Sequence, residues 1–145
     1  MTVRQASPAD LAEVTRLALL LWPGHEPEAL SADLAPLLDQ PDAAIFLCEA
    51  KGHQIGFAQC QLRRDYVEGC ETSPVGYLEG VYVEEGHRRR GVASALVAAC
   101  QDWARTQGCS EFASDCELDN ADSLRFHLGV GFEEANRIIC FTRKP

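Results

Sequence analysis

Apolar residues change their spacing several times along this chain, and each change marks an element. Residues 2–6 (TVRQA) read as a short strand. Over 7–22, Leu11, Val14, Leu17, Ala18 and Leu21 recur three and four residues apart, the spacing of one helical face. Ser7 is the expected N-cap, Pro8 takes the first helical position and Asp10 falls in the first turn. The stretch WPGHEP breaks that helix, and 27–40 reads as a weaker one whose later half Pro36 opposes. Residues 43–50 and 54–66 have strand character on either side of Lys51-Gly52-His53, which predicts a hairpin. After a polar loop with Gly69 and Pro74, residues 77–85 alternate and are rich in β-formers. Helical spacing returns over 89–108, where Val92, Leu96, Val97, Cys100 and Trp103 form one stripe and Gly108 is the expected stop. A strand over 109–116, a short helix over 119–131 and one or two strands over 132–144 complete the series.

The resulting order, β-α-α-β-β-β-α-β-α-β, predicts a mixed α/β chain. Its strand-helix-strand unit at 77–116 should place two strands in parallel through a right-handed crossover. With 145 residues and neither repeats nor linkers, a single domain over 1–145 is expected.

Composition narrows the functional classes. Hydrophobic residues make up 46% of the chain, enough for a substantial core. No apolar run approaches the roughly 18 residues of a membrane span, and the N-terminus lacks the pattern of a secretory leader. A soluble, cytoplasmic protein without a membrane partner is the expectation. The 22 acidic residues against 13 Lys and Arg leave a charge of −9, which argues against a nucleic-acid partner. It serves solubility, and it also suits a cationic substrate drawn to a carboxylate-lined cleft. The seven cysteines (48, 60, 70, 100, 109, 116 and 140) are odd in number and include no CxxC. They indicate neither a disulfide framework nor a zinc site. They read as reduced, mostly structural thiols, with Cys70 and Cys116 near the site described next.

The chemistry concentrates in EEGHRRRGVASAL. A strand, a turn holding Arg88, Arg89, Arg90 and Gly91, and a helix start make an anion site. The first-turn N–H groups have no intrahelical acceptor, and the helix dipole is positive there. Arginines in a first turn oppose that dipole unless an anion sits among them. Gly91 admits a bulky anion close to the backbone, and Ala93 keeps the next position small. Neither GxxxxGK[ST] nor GxGxxG is present, so the site is not a P-loop or a dinucleotide fingerprint. Two carboxylates flank this unit. Glu79 lies on the strand before it and Asp115 at the end of the strand after it, where parallel neighbours can share a cleft.

Arg88-Arg89-Arg90-Gly91-Val92-Ala93 resembles the Q/R-x-x-G-x-G/A core of motif A in the GNAT acetyltransferases, and HLGVGF resembles their late LGF turn. LWPGHEPE, RRDYVEGCETSPVGYLEGVYV, EFASDCELDN and GFEEANRIICF together resemble the aminoglycoside 6'-N-acetyltransferases more closely. The resemblance implies a GNAT-type α/β (α+β) fold: a mixed, mainly antiparallel central sheet with one parallel strand-helix-strand unit and helices on both faces. It implies acetyl-CoA as cosubstrate, no metal, transfer of acetyl to the 6'-amino group of an aminoglycoside by direct attack in a ternary complex, and a homodimer. On this reading Arg88, Arg89, Arg90, Gly91, Val92, Ala93 and Ser94 cradle the pyrophosphate. Val81, Tyr82 and Val83 run along the pantetheine arm, with Val81 or its neighbour as oxyanion donor, and Asn120 is a further coenzyme contact.

Attack requires a neutral amine, so a carboxylate must take a proton, directly or through water. Glu79 is the expected base and Asp115 the substrate anchor or alternative base. Many family members carry a tyrosine as general acid where this chain has His127, which leaves that role open between His127 and another group. Trp22 and Tyr66 are expected walls for the sugar rings. His25, Glu71, Glu133 and Glu134 are further substrate-binding candidates, while Asn136 replaces an expected acidic residue. Two alternatives stay beside this reading: a GNAT enzyme for a protein N-terminus, polyamine or other metabolite amine, and a noncatalytic acyl-CoA sensor.

Overall fold

The alternation read from the sequence builds a sheet of five strands in the order β1-β2-β3-β4-β5. The computed structural model describes residues 1–145. The strands are β1 (Thr2–Gln5), β2 (Ala43–Ala50), β3 (His53–Arg63), β4 (Val75–Val83) and β5 (Phe112–Ala113). Neighbours pair antiparallel up to β4, and β4 pairs parallel with β5. The helices are α1 (Leu11–Leu21), α2 (Pro27–Leu34), α3 (Val92–Thr106) and α4 (Ala121–Gly129). None is long and apolar enough to cross a membrane.

Strand pleating sends successive side chains to opposite faces, so the sheet has two cores. Ile45, Leu47 and Phe57 pack with Val14, Leu17 and Ala18 of α1 and Leu30 and Leu34 of α2. Ala44, Cys48, Ala58 and Cys60 pack with α3, whose expected stripe (Val92, Leu96, Val97, Cys100 and Trp103) is buried in full. Local signals set several ends. The Ser7 N–H donates to Asp10 Oδ2 at 2.8 Å, and Arg4 holds both oxygens of that carboxylate at 2.8 Å. A 3₁₀ turn over Ala35–Leu38, with Pro36 inside it, follows the end of α2. Lys51 and Gly52 take positive φ, 51° and 78°, at the hairpin tip.

Two expectations change. The strand expected over 109–116 contracts to Phe112–Ala113, because β5 meets β4 at only two pairs, Gly76↔Phe112 and Tyr77↔Ala113. Beyond them the two strands separate, and this gap opens the cleft. The strands expected over 132–144 do not form. A strand needs a backbone partner, and this segment has no ladder within the chain. Ile138, Ile139 and Phe141 are left 61%, 77% and 87% exposed.

A bulge interrupts β4. Gln59 faces Gly80 while Cys60 faces Leu78, so Glu79 is the extra residue. The bulge also shifts the pleat: Leu78, Val81 and Val83 all belong to the α3 side although the first two are three apart.

Candidate active site

A cleft of about 790 Å³ opens where β4 and β5 part. Its walls come from the C-terminal half of β4, the loop before α3, the start of α3, the segment after β5 and the inner side of α4. The size suits a cofactor or drug-sized ligand.

One end is an anion socket. Gly91 N-caps α3 at φ 80°, and Arg89 also takes positive φ, 62°. Alternating backbone of this kind turns successive N–H groups toward one concavity. Ala95 N–H is the first in α3 to bond back, to the Gly91 carbonyl at 3.0 Å. The N–H groups of residues 89 to 94 have no backbone acceptor. A Cβ added at Gly91 would meet nothing within 4 Å, so its surroundings are open toward the cleft. Arg88 is engaged elsewhere: its Nε donates to the Val83 carbonyl at 2.8 Å, and its guanidinium lies 5.4 Å from the Tyr82 ring centroid. That contact ties the turn to the end of β4. Arg88 and Arg89 line the cleft, whereas Arg90 is exposed outside it.

The other end is acidic, with Glu79 and Asp115 as its carboxylates; Glu117 and Asp122 also line the cleft. The bulge gives Glu79 its place at the gap between β4 and β5. Arg63 of β3 grips Glu79, donating from Nε to Oε1 at 3.0 Å and from one terminal nitrogen to Oε1 at 2.7 Å and Oε2 at 2.9 Å. The Tyr77 hydroxyl donates to Asp115 Oδ2. Burial, and then the hydrogen bond to Asp115, push the Tyr77 phenol well above its ordinary range, so it stays protonated and donates.

His127 of α4 also lines the cleft, packed by Phe126 and Phe132. Its Nδ1 is 2.7 Å from the Ser123 carbonyl oxygen, which only accepts, so we assign the proton to Nδ1. Nε2 is 2.7 Å from Ser114 Oγ, and that oxygen is 3.2 Å from the Leu78 carbonyl. With neutral imidazole, Ser114 donates to Nε2. With imidazolium, Nε2–H donates to Ser114 and the hydroxyl donates to Leu78. Both protonation states are fully bonded.

The description of the Acetyltransferase (GNAT) family matches residues 11–132. The chain belongs to the GNAT family of acetyltransferases. The aminoglycoside N(6')-acetyltransferase type 1 of Salmonella enteritidis is 42% identical over 144 residues, covering 99% of each chain. Among solved structures, the aminoglycoside N-acetyltransferase AAC(6')-Iy in complex with CoA has a TM-score of 0.95 at 41% identity, over 99% of this chain and 95% of that one. The same enzyme in complex with the bisubstrate analogue CoA-S-monomethyl-acetylneamine has a TM-score of 0.94 at 41% identity, over 99% and 98%.

In this GNAT acetyltransferase the cleft collects most residues singled out from the sequence. Trp22, Glu79, Val81, Tyr82, Val83, Arg88, Arg89, Gly91, Val92, Ala93, Ser94, Asp115, Asn120 and His127 all line it. Asn120 also N-caps α4, its Oδ1 accepting from the Ser123 N–H at 3.1 Å. Trp22 lies edge-on to Phe57 and over Gly80. Other candidates stay outside the walls. His25 stands against Trp22, with its Nδ1 3.3 Å from the Trp22 carbonyl oxygen. Tyr66 is 78% exposed and donates to Glu68 at 3.3 Å. Glu71 and Glu133 are exposed, and Glu134 pairs with Arg137. Asn136 donates to Glu68 at 2.6 Å, a contact no acidic residue there could make. Of the two uncertain thiols, Cys116 lines the cleft and Cys70 does not. Sequence reasoning missed Ser114, Tyr77 and Arg63. All three stand inside the strings that carry the family resemblance, but nothing local in those strings marked them as part of the site.

Proposed function

We propose that the chain is an acetyl-CoA-dependent aminoglycoside 6'-N-acetyltransferase, acting as a single domain by direct attack in a ternary complex. The observation that carries the reading is the two-ended cleft. Free N–H groups at residues 89 to 94 suit a pyrophosphate, and Glu79 with Asp115 suits a polycationic amine. The names of relatives at about 40% identity point to the same acceptor class.

Acetyl-CoA supplies the activated acetyl group. The roles of the chain's own residues follow from where they stand. The residue 89–94 backbone binds the pyrophosphate, with Arg88 holding the turn and Arg89 and Arg90 adding positive field. The stretch from Val81 to Val83 lies on the part of β4 with no β5 partner, so its backbone is available to the pantetheine arm and to a developing oxyanion. Three of the roughly four acceptor positions of Glu79 are taken by Arg63. The remaining one suits a water that receives the amine proton. Asp115 anchors the ammonium groups, and Trp22 walls the sugar, with His25, Tyr66, Glu71 and Glu134 at its outer margin. The new bond joins the amine nitrogen to the acetyl carbon as the C–S bond breaks. One proton leaves nitrogen toward Glu79, and one reaches the sulfur from the His127–Ser114 pair.

The reading includes a homodimer, a cytoplasmic location and antibiotic resistance as the outcome. Support for the dimer is the unpaired apolar segment with Ile138, Ile139 and Phe141 exposed. The deciding experiment follows thiol release from acetyl-CoA with kanamycin and with spermidine as acceptors. Turnover with kanamycin is expected. Turnover with spermidine alone would identify a different GNAT enzyme, and none with any amine a coenzyme sensor.

A further inference from the structure

Glu79 lies on β4 and Asp115 two residues beyond β5, at a point where the sheet no longer joins them. Two residues outside the cleft restore the connection. Arg63 is bidentate on Glu79, and its guanidinium carbon lies 3.4 Å from the centroid of the Tyr77 ring. The Tyr77 hydroxyl reaches Asp115 Oδ2. The chain Glu79–Arg63–Tyr77–Asp115 is therefore continuous, from carboxylate to carboxylate.

Register explains how it forms. Tyr77 faces Gln61 on β3 and Ala113 on β5. Arg63 lies two residues beyond Gln61, within diagonal reach of the Tyr77 ring, and Asp115 lies two beyond Ala113. The ring itself is fixed: Tyr77 is 6% exposed and packs with Val67 and Val75. A guanidinium stacked on that ring has little freedom, and its planar fork matches a carboxylate.

We propose that Arg63 and Tyr77 are positioning residues that bind Glu79 and Asp115 into one rigid cradle for the acceptor amine. The bracket uses three acceptor positions on Glu79 and one on Asp115 from the outer side. The remaining oxygen sites point the pair's recognition at the cleft that both residues line. Neither Arg63 nor Tyr77 lines the cleft, so they act through the carboxylates. The inference rests on the reading of this end as the acceptor site.

The test compares Arg63→Gln, Arg63→Lys and Tyr77→Phe with the parent enzyme. The readouts are kanamycin kinetics, CoA affinity by calorimetry, melting temperature and crystal structures. Arg63→Gln should lower kcat/KM for kanamycin by about a hundredfold and Tyr77→Phe by about tenfold, in line with losing an ion-paired fork in the first and a single hydrogen bond to a carboxylate in the second. CoA affinity should stay within twofold for both. Arg63→Lys should recover only part of the loss, because a point charge cannot reproduce the fork. In the variant structures, Asp115 should leave its rotamer in Tyr77→Phe, and Glu79 in Arg63→Gln. Kanamycin kinetics within twofold of the parent for both variants would overturn the proposal. So would a fall in CoA affinity or melting temperature that accounts for the whole loss. If the parent does not acetylate any aminoglycoside, the proposed function fails instead. The variant structures then decide the bracket alone: unchanged Glu79 and Asp115 rotamers reject it.

Discussion

The Trp22 indole lies directly over Gly80, so close that a Cβ at Gly80 would stand 2.8 Å from its Cζ2 and 2.9 Å from its Cη2. Leu21 Cδ2 would be 3.1 Å away. The wall of the cleft is thus seated on bare backbone one residue past the bulge. Gly80→Ala must push the indole off its seat. A cost of about 1–3 kcal/mol in stability is expected, as for overpacking. Trp fluorescence should shift, and the acceptor KM should rise more than that of acetyl-CoA.

Glu79→Gln keeps the shape of the side chain but removes its charge and half of its capacity to accept from Arg63. Turnover should fall by about two to four orders of magnitude, the usual range for a general acid or base. Coenzyme affinity should hold. Unchanged turnover across the pH range would remove Glu79 from the proton path.

Gly91 separates conformational from steric effects. Its φ is +80°, yet a Cβ there would touch nothing within 4 Å. Gly91→Ala therefore incurs only the left-handed backbone cost of about 1–2 kcal/mol. Gly91→Val adds branched bulk over the N–H groups of the socket. Calorimetry should find CoA binding weakened at least tenfold for valine and much less for alanine. Equal weakening by both would place the cause in the backbone turn.

The His127–Ser114 pair is complete in either charge state, which is what a group that hands over a proton requires. His127→Ala should reduce kcat by about a hundredfold with little change in coenzyme affinity. Ser114→Ala, which removes the Nε2 partner and leaves the imidazole in place, should give a smaller loss. A kcat within twofold of the parent for His127→Ala would assign thiolate protonation to water.

Asp10 gives a pH-dependent stability test away from the cleft. The hydrogen bonds from Arg4, foremost, and from the Ser7 N–H pull its carboxyl well below the ordinary range. A depressed folded-state pKa contributes stability that is present above the unfolded value of about 4 and lost as pH falls below it. Arg4 is 44% exposed, so solvent screening limits the ion pair to about 0.5–1 kcal/mol. Asp10→Asn should therefore melt lower than the parent at pH 7, with the difference shrinking as the pH is taken below 4. A deficit that is constant with pH would trace to the cap geometry instead.

Much of this molecule follows from local order along the chain. The stripe Val92, Leu96, Val97, Cys100 and Trp103 can face only one way on a helix, and it is buried as expected. The anion socket is equally local, since Arg88 to Ser94 span only the turn before α3 and its first residues, and the N–H groups of 89 to 94 are free because a helix begins there. Glu79 was legible as a candidate, but the reason it reaches the cleft was not. Simple alternation would put Glu79 on the same face as Val81. The bulge reverses the pleat after Leu78, and it is created by the register of β3 against β4. The C-terminal run is the opposite case, because strand-like composition over 132–144 finds no ladder in the chain.

The sequence alone determined the helices, the first four strands, their apolar faces and the backbone socket, because those depend on spacing within a few residues. Tertiary structure alone decided which polar groups meet. Arg63 and Glu79 are 16 residues apart, and Tyr77 and Asp115 are 38 apart. Such pairs depend on strand register and on where β4 and β5 part, and no local period encodes either.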